Sequence, residues 1–202
     1  QAQQRFLELY PQGFMHPQML ALAKKHKMDK MTADAQLAFA KDSFREEKDV
    51  LEAITRCVSR SSMVSMFEKP RFRDFVAGLS ADQKDALVTG LRLFLHGKQQ
   101  QGFELLTAIL ATEKLAKWSL VTIVPNYYAP MDEVFVKPTT AKGIISYFEL
   151  DGLHYTPAPN WDFYRRYRAA ILDMRAKVDA CLAPSNAAFC GFLMMSMRAQ
   201  GN

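Results

Sequence analysis

Cysteine is scarce: three residues in 202, Cys57, Cys181 and Cys190. No CxxC pair occurs, and no Cys and His stand at zinc-ligand spacing, so a disulfide scaffold and a zinc module are both excluded as the organising principle. Three thiols of this kind read as small apolar core residues in a reducing compartment. Long hydrophobic runs are absent too. The longest uncharged apolar stretch, Ala187 to Met195, is half of what a membrane-crossing helix needs. Gln1 to Arg5 lacks the pattern of a secretory leader. Together these features lead to the expectation of a cytoplasmic protein with no membrane partner.

The signatures of common chemistries are also missing. The chain has no HExxH, GxSxG, GxxxxGK[ST] or GxGxxG. Its four histidines, His16, His26, His96 and His154, have no ligand spacing among them. The sequence therefore leans away from an enzyme and implies neither cofactor nor metal. No block of five or six like charges marks a basic arm or an acidic tail, and no repeat of constant period is present.

What remains is an ordinary globular composition, 49% hydrophobic and 23% charged, with a net charge of +5. The excess is uneven. Residues 1–100 carry 16 Lys and Arg against 12 Asp and Glu; residues 101–202 carry 10 against 9. A mildly basic chain, with an isoelectric point near 9.1, permits an anionic partner without requiring one.

The dominant period is helical. Short helices are expected over residues 2–10, from His16-Pro17, and from Thr32 as an N-cap, with a mixed-charge start at Glu46 to Glu52 before the apolar stripe Val50, Leu51, Ile54, Cys57 and Val58. Pro70 is expected to split the next segment. Ser80 and Gln83 form a capping box for a strong helix that ends at Gly97. Phe103 to Ala111 is apolar nearly all round and belongs in a core. A further helix is expected from about 114 to 124. From Pro125 to Pro159 five prolines fall within 35 residues. That region reads as an irregular insertion holding one helix, 140–149, and two short strands, 134–136 and 153–155. A long helix capped by Asn160 then runs to about Leu182, and an uncharged apolar helix closes the chain. The expectation is one all-α domain over 1–202, about nine helices with a small Pro-rich insertion at 125–159.

Two stretches carry the candidate binding chemistry. In the first, Pro138 fixes a helix entry, Thr139 or Thr140 caps it, and Lys137 and Lys142 flank its first turn. Free N–H groups, a partial positive charge, two hydroxyls and two ammonium groups suit a phosphate. The second, Trp161 to Arg168, packs four aromatics and three arginines into eight residues. Phe163 and Tyr167 continue the apolar stripe. Trp161 and Tyr164 are candidates for stacking on bases, with Arg165 and Arg168 contacting phosphate, because neither arginine has an obvious acidic partner on its helix. Convergence of the two stretches would give a continuous patch of Lys137, Lys142, Arg165 and Arg168. The densest positive run, Lys24 to Lys27 with Lys30, reads as a solvated helix face.

The resulting expectation is a non-catalytic binder of nucleic acid or a phosphate-bearing ligand. Two competing readings come from other classes. One is an interaction scaffold or homodimer using the apolar run 187–195, which an exposed patch of that size would imply. The other is an enzyme whose groups meet only in the fold.

Overall fold

In this computed structural model the described residues, 1–198, contain helices and connections and no strand. Eleven α-helices follow in order: α1 (Ala2–Leu9), α2 (Pro17–Lys25), α3 (Met28–Ala38), α4 (Glu47–Arg60), α5 (Glu68–Ala77), α6 (Ala81–His96), α7 (Gln99–Ala111), α8 (Trp118–Tyr128), α9 (Pro138–Tyr147), α10 (Trp161–Arg175) and α11 (Asn186–Arg198). Three short 3-10 turns, Gly13–Met15, Lys41–Arg45 and Ala180–Leu182, join them.

Several starts follow directly from capping chemistry. The Ser80 Oγ accepts from the Gln83 N–H at 3.3 Å, and the Gln83 side chain accepts from the Ser80 N–H at 2.9 Å. Asn160 accepts from the Phe163 N–H at 2.9 Å and opens α10. Pro17 occupies the first turn of α2, where its missing N–H has no intrahelical partner to lose. Pro70 behaves the same way. It is the third residue of α5, inside the turn whose N–H groups are orphans anyway, so it does not split the segment.

Other boundaries differ from expectation. Lys27 adopts a left-handed conformation (φ 53°), so α3 starts at Met28 rather than after Thr32. Helix α8 runs through Pro125 to Tyr128, although the proline removes one bond of the ladder. Burial explains its survival: every residue from Leu120 to Tyr127 is buried, and the Ala129 N–H closes the last turn on the Pro125 carbonyl at 2.9 Å. The expected long helix stops at Arg175, and Ala180–Leu182 forms a separate turn.

The two expected strands are absent. Residues 134–136 are extended and buried, but their backbone groups pair with side chains rather than with a second strand. The Val134 N–H donates to the Tyr164 hydroxyl at 3.3 Å, and the Val136 N–H to Thr122 Oγ1 at 3.0 Å. The Glu133 carbonyl accepts from Asn186 at 3.0 Å, and the Met131 carbonyl from Arg175 at 2.6 Å. Within this strap, residues 130–137, Glu133 to Val136 pass through the core, while Met131, Asp132 and Lys137 at its two ends are exposed. The second expected strand, 153–155, is a half-buried connection.

One hydrophobic core runs from Phe6 to Leu193. Cys57 and Cys190 are buried in it, while Cys181 is half-buried; all three thiols are free. The apolar C-terminal run is accounted for inside the single chain. Phe189, Phe192 and Leu193 are buried, α11 packs on α1, α9 and α10, and no residue from Asn186 to Met197 is exposed.

The closest helix pair is α6 with α7. There Gly90 and Gly102 let the backbones meet: a Cβ on Gly102 would lie 2.2 Å from the Phe94 nitrogen and 2.6 Å from the Gly90 carbonyl oxygen. Gly191, inside α11, has open space around that position. We therefore expect Gly102→Ala to destabilise the fold by several kcal/mol, beyond any propensity gain, because backbone must move. Gly191→Ala is expected to stabilise it by about 0.5–1 kcal/mol through helix propensity. Urea unfolding of both variants checks the sign and the contrast.

Candidate nucleic-acid interface

Helix α10 turns its aromatic side chains and Arg168 inward. Tyr164 is fully buried. Its hydroxyl donates to Glu133 Oε2, and Arg168 Nη1 lies 3.0 Å from both oxygens of the same carboxylate. Gln99 completes the arrangement. Its Nε2 donates to Glu133 Oε1 at 2.8 Å and to the Phe94 carbonyl at 3.0 Å, while its Oε1 accepts from Arg168 at 2.9 Å. The Arg168–Glu133 pair is largely dry, with side chains 17% and 7% exposed. The guanidinium also covers the rings of Trp161 and Tyr164, at 5.5 and 5.3 Å from their centroids. Burial, then the neighbouring Glu133 charge and hydrogen bond, push the Tyr164 phenol well above its ordinary value. It therefore remains a donor to the carboxylate.

Three of the sequence's site candidates are thus drawn into one buried cluster. Tyr164 presents no face for a base to stack on. Arg168 finds its acid on the strap rather than on its own helix, a pairing that spans 35 residues. Trp161 is half-buried against Phe103 and Tyr164. Arg165 is exposed, but with Arg166 it shares the Asp162 carboxylate, at 3.2 and 3.0 Å. Arg175, also without an evident partner in sequence, donates to the Asn186 side chain at 2.6 Å.

The start of α9 keeps more of its expected form. Lys137, Thr139 and Lys142 are exposed and Thr140 is half-exposed. Pro138 sits in the first turn, and no side chain caps the helix, so neither threonine performs the capping expected of it. The Lys142 ammonium lies 5.3 Å from the centre of the Tyr155 ring, and Tyr155 packs on Phe163 of α10. That chain of contacts links the two stretches. Because Arg168 turns inward, the expected four-residue patch is reduced to Lys137, Lys142 and the already paired Arg165.

A different surface gathers free cations. Helices α4 and α5 and the start of α6 enclose an open groove of about 540 Å³, lined by Lys48, Arg56, Arg73 and Lys84 with Glu52 as the one acid. Leu51, Val76 and Ala77 add apolar lining, and the Thr55 hydroxyl is turned to the Leu51 carbonyl. Among the described residues, Lys48, Arg56 and Lys84 have no ion-pair partner, and Arg73 has a loose, solvent-exposed contact with Asp74 at 3.6 Å. Among the lining residues positive side chains outnumber negative ones four to one, offset in part by Asp74 beside Arg73, and a concave surface of one prevailing sign focuses potential on an anion. A second, smaller cleft of about 30 Å³ between α3 and α4 shares Arg56 and adds Arg60 and Asp34.

Sequence reasoning passed over this groove, although part of it was there to read. Lys48, Glu52, Arg56 and Arg60 recur every four residues along α4, which places them on one face beside the apolar stripe. Arg73 and Lys84 join only through tertiary packing, which no local pattern encodes. The run at Lys24 to Lys27 is exposed, with the His26 ring 2.8 Å from Ser62 Oγ.

No protein-family model matches the chain, and neither a curated protein nor a solved structure matches it. Among the described residues, no three His, Cys, Asp or Glu side chains are grouped so as to hold a metal ion, and no helix is long and apolar enough to cross a membrane.

The Glu133 cluster predicts a strong asymmetry. Arg168→Ala leaves a buried carboxylate without its counter-charge and is expected to cost about 3–5 kcal/mol. Tyr164→Phe removes one donor and is expected to cost about 1–3 kcal/mol. Arg165→Ala, at an exposed pair, is expected to cost less than about 1 kcal/mol. Urea denaturation of the three variants tests that order.

Proposed function

We propose that this protein is a non-catalytic binder of nucleic acid or another phosphate-bearing polyanion. The observation that carries the reading is the α4–α5–α6 groove, lined by Lys48, Arg56, Arg73 and Lys84 with Glu52 as the one acid among its lining residues. Phosphate contacts of this kind supply affinity without sequence preference, because the ammonium and guanidinium groups read charge rather than base edges. The α9 start, with exposed Lys137, Thr139 and Lys142, offers an additional anion contact. The two buried thiols fit a binding role better than a nucleophilic one. Burial pushes both Cys57 and Cys190 up to about 12, so neither forms a thiolate near neutral pH.

The test is fluorescence anisotropy with labelled oligonucleotides at about 50 and about 200 mM salt. Four phosphate contacts predict that affinity falls roughly 50- to 150-fold across that range. Arg56→Glu is expected to weaken binding and flatten the salt dependence. An absence of binding at the lower salt contradicts the reading.

A further inference from the structure

The connection between α4 and α5 carries two large apolar side chains in full contact with water. Met66 is 75% exposed and Phe67 is 86% exposed. Phe67 stands at the N-cap of α5, the helix that forms one wall of the groove. A phenylalanine gains by burial, and this one is left largely in water beside a large core. Nothing inside the chain engages it: Phe67 is absent from both the core and the residues packed against it, and it stacks on no other ring among the described residues.

Two arginines flank the connection in sequence. Arg60 ends α4 just before the connection, and Arg71 follows one turn into α5; both are exposed. The one acid beside the ring in sequence, Glu68, accepts a hydrogen bond from Ser119 at 3.0 Å. The groove takes Lys48 to Arg56 from α4 but only the second half of α5. The two helices therefore run in opposite senses, and their connection lies at one end of the groove. Arg73, in the groove wall, is six residues from Phe67, about 9 Å of helix rise. That is within three steps of a stacked strand at about 3.4 Å each.

We infer that the groove's ligand is a single-stranded nucleic acid, with its phosphates on Lys48, Arg56, Arg73 and Lys84 and a base stacked on Phe67. This rests on the polyanion reading proposed above and narrows it. A positive groove for the backbone, with an accessible aromatic face beyond its lining on the same helix, is the combination that binds strands without sequence readout. A duplex keeps its bases stacked on one another and has no free face for Phe67. Inorganic polyphosphate has no base at all. Because the groove walls contain no aromatic residue, any discrimination between strand and duplex falls on this one ring.

The experiment uses the full chain and three labelled or competing probes: an oligothymidylate of about 20 nucleotides, a duplex of equal length, and inorganic polyphosphate. The strand is expected to bind at least tenfold more tightly than the duplex. Phe67→Ala is expected to weaken strand binding about tenfold while leaving the salt slope and the duplex affinity unchanged. Phe67→Trp retains strand binding, and its added fluorescence is quenched by the strand but not by polyphosphate. Phe67 is solvent-exposed, so these substitutions leave the fold intact. Equal affinity for strand and duplex overturns the inference. So does an unchanged strand affinity in Phe67→Ala; if Arg56→Glu still weakens binding in that case, the polyanion reading stands without the stacked base. Failure of the wild-type protein to bind any of the three probes overturns both.

Discussion

The Glu133 carboxylate lies almost out of reach of water, and an unpaired anion there would cost several kcal/mol. Its partners come from two helices far from it in sequence: Gln99 at the start of α7, and Tyr164 and Arg168 from α10. Satisfying one charge therefore fixes three elements relative to each other. The residues on either side of Glu133 extend the effect. Asn186 at the start of α11 holds its carbonyl, Arg175 holds the carbonyl of Met131, and Tyr164 and Thr122 hold the N–H groups of Val134 and Val136. An extended segment crosses the core without a partner strand because side chains from α8, α10 and α11 satisfy its backbone groups.

That arrangement redistributes the chain's positive charge. Arg168 and Arg175 are committed to internal contacts, and Arg165 shares an acid with Arg166 on the helix surface. In the second half of the chain, nearly neutral by count, Lys137 and Lys142 at the start of α9 stay exposed. In the first half, Lys48, Arg56 and Lys84 remain unpaired among the described residues and share one concavity. The uneven charge seen in the composition thus has a structural counterpart, although the side chains responsible are not the ones whose local sequence looked most like a binding motif.

Legibility followed the range of the forces involved. Local signals were readable: the Ser80–Gln83 capping box, the Asn160 cap, Pro17 in a first turn, and the apolarity of the α11 segment, whereas α7 leaves Glu104, Ala108 and Ala111 on an exposed face. So was the all-helical class. The failures share a cause. Val134 to Val136 looks like a strand because a buried extended segment and a paired strand have the same apolar, β-branched composition; only the positions of Thr122, Tyr164 and Asn186 decide between them. Pro125 looks like a terminator because local propensity cannot register that the whole surrounding turn is buried. Trp161 to Arg168 looks like an exposed interface because its acidic partner lies about 30 residues upstream. The groove was half legible, as the four-residue spacing on α4, and half dependent on where α5 and α6 pack.

The account turns on which cations face the ligand. Lysine acetylation followed by mass spectrometry, with and without a saturating single-stranded oligonucleotide, addresses that directly. Lys48 and Lys84 lie in the groove, and Lys137 and Lys142 flank the α9 start. Protection concentrated at Lys48 and Lys84 is the predicted result. Protection confined to Lys137 and Lys142, with the groove lysines as reactive as in the free protein, would contradict it and move the interface to the α9 surface.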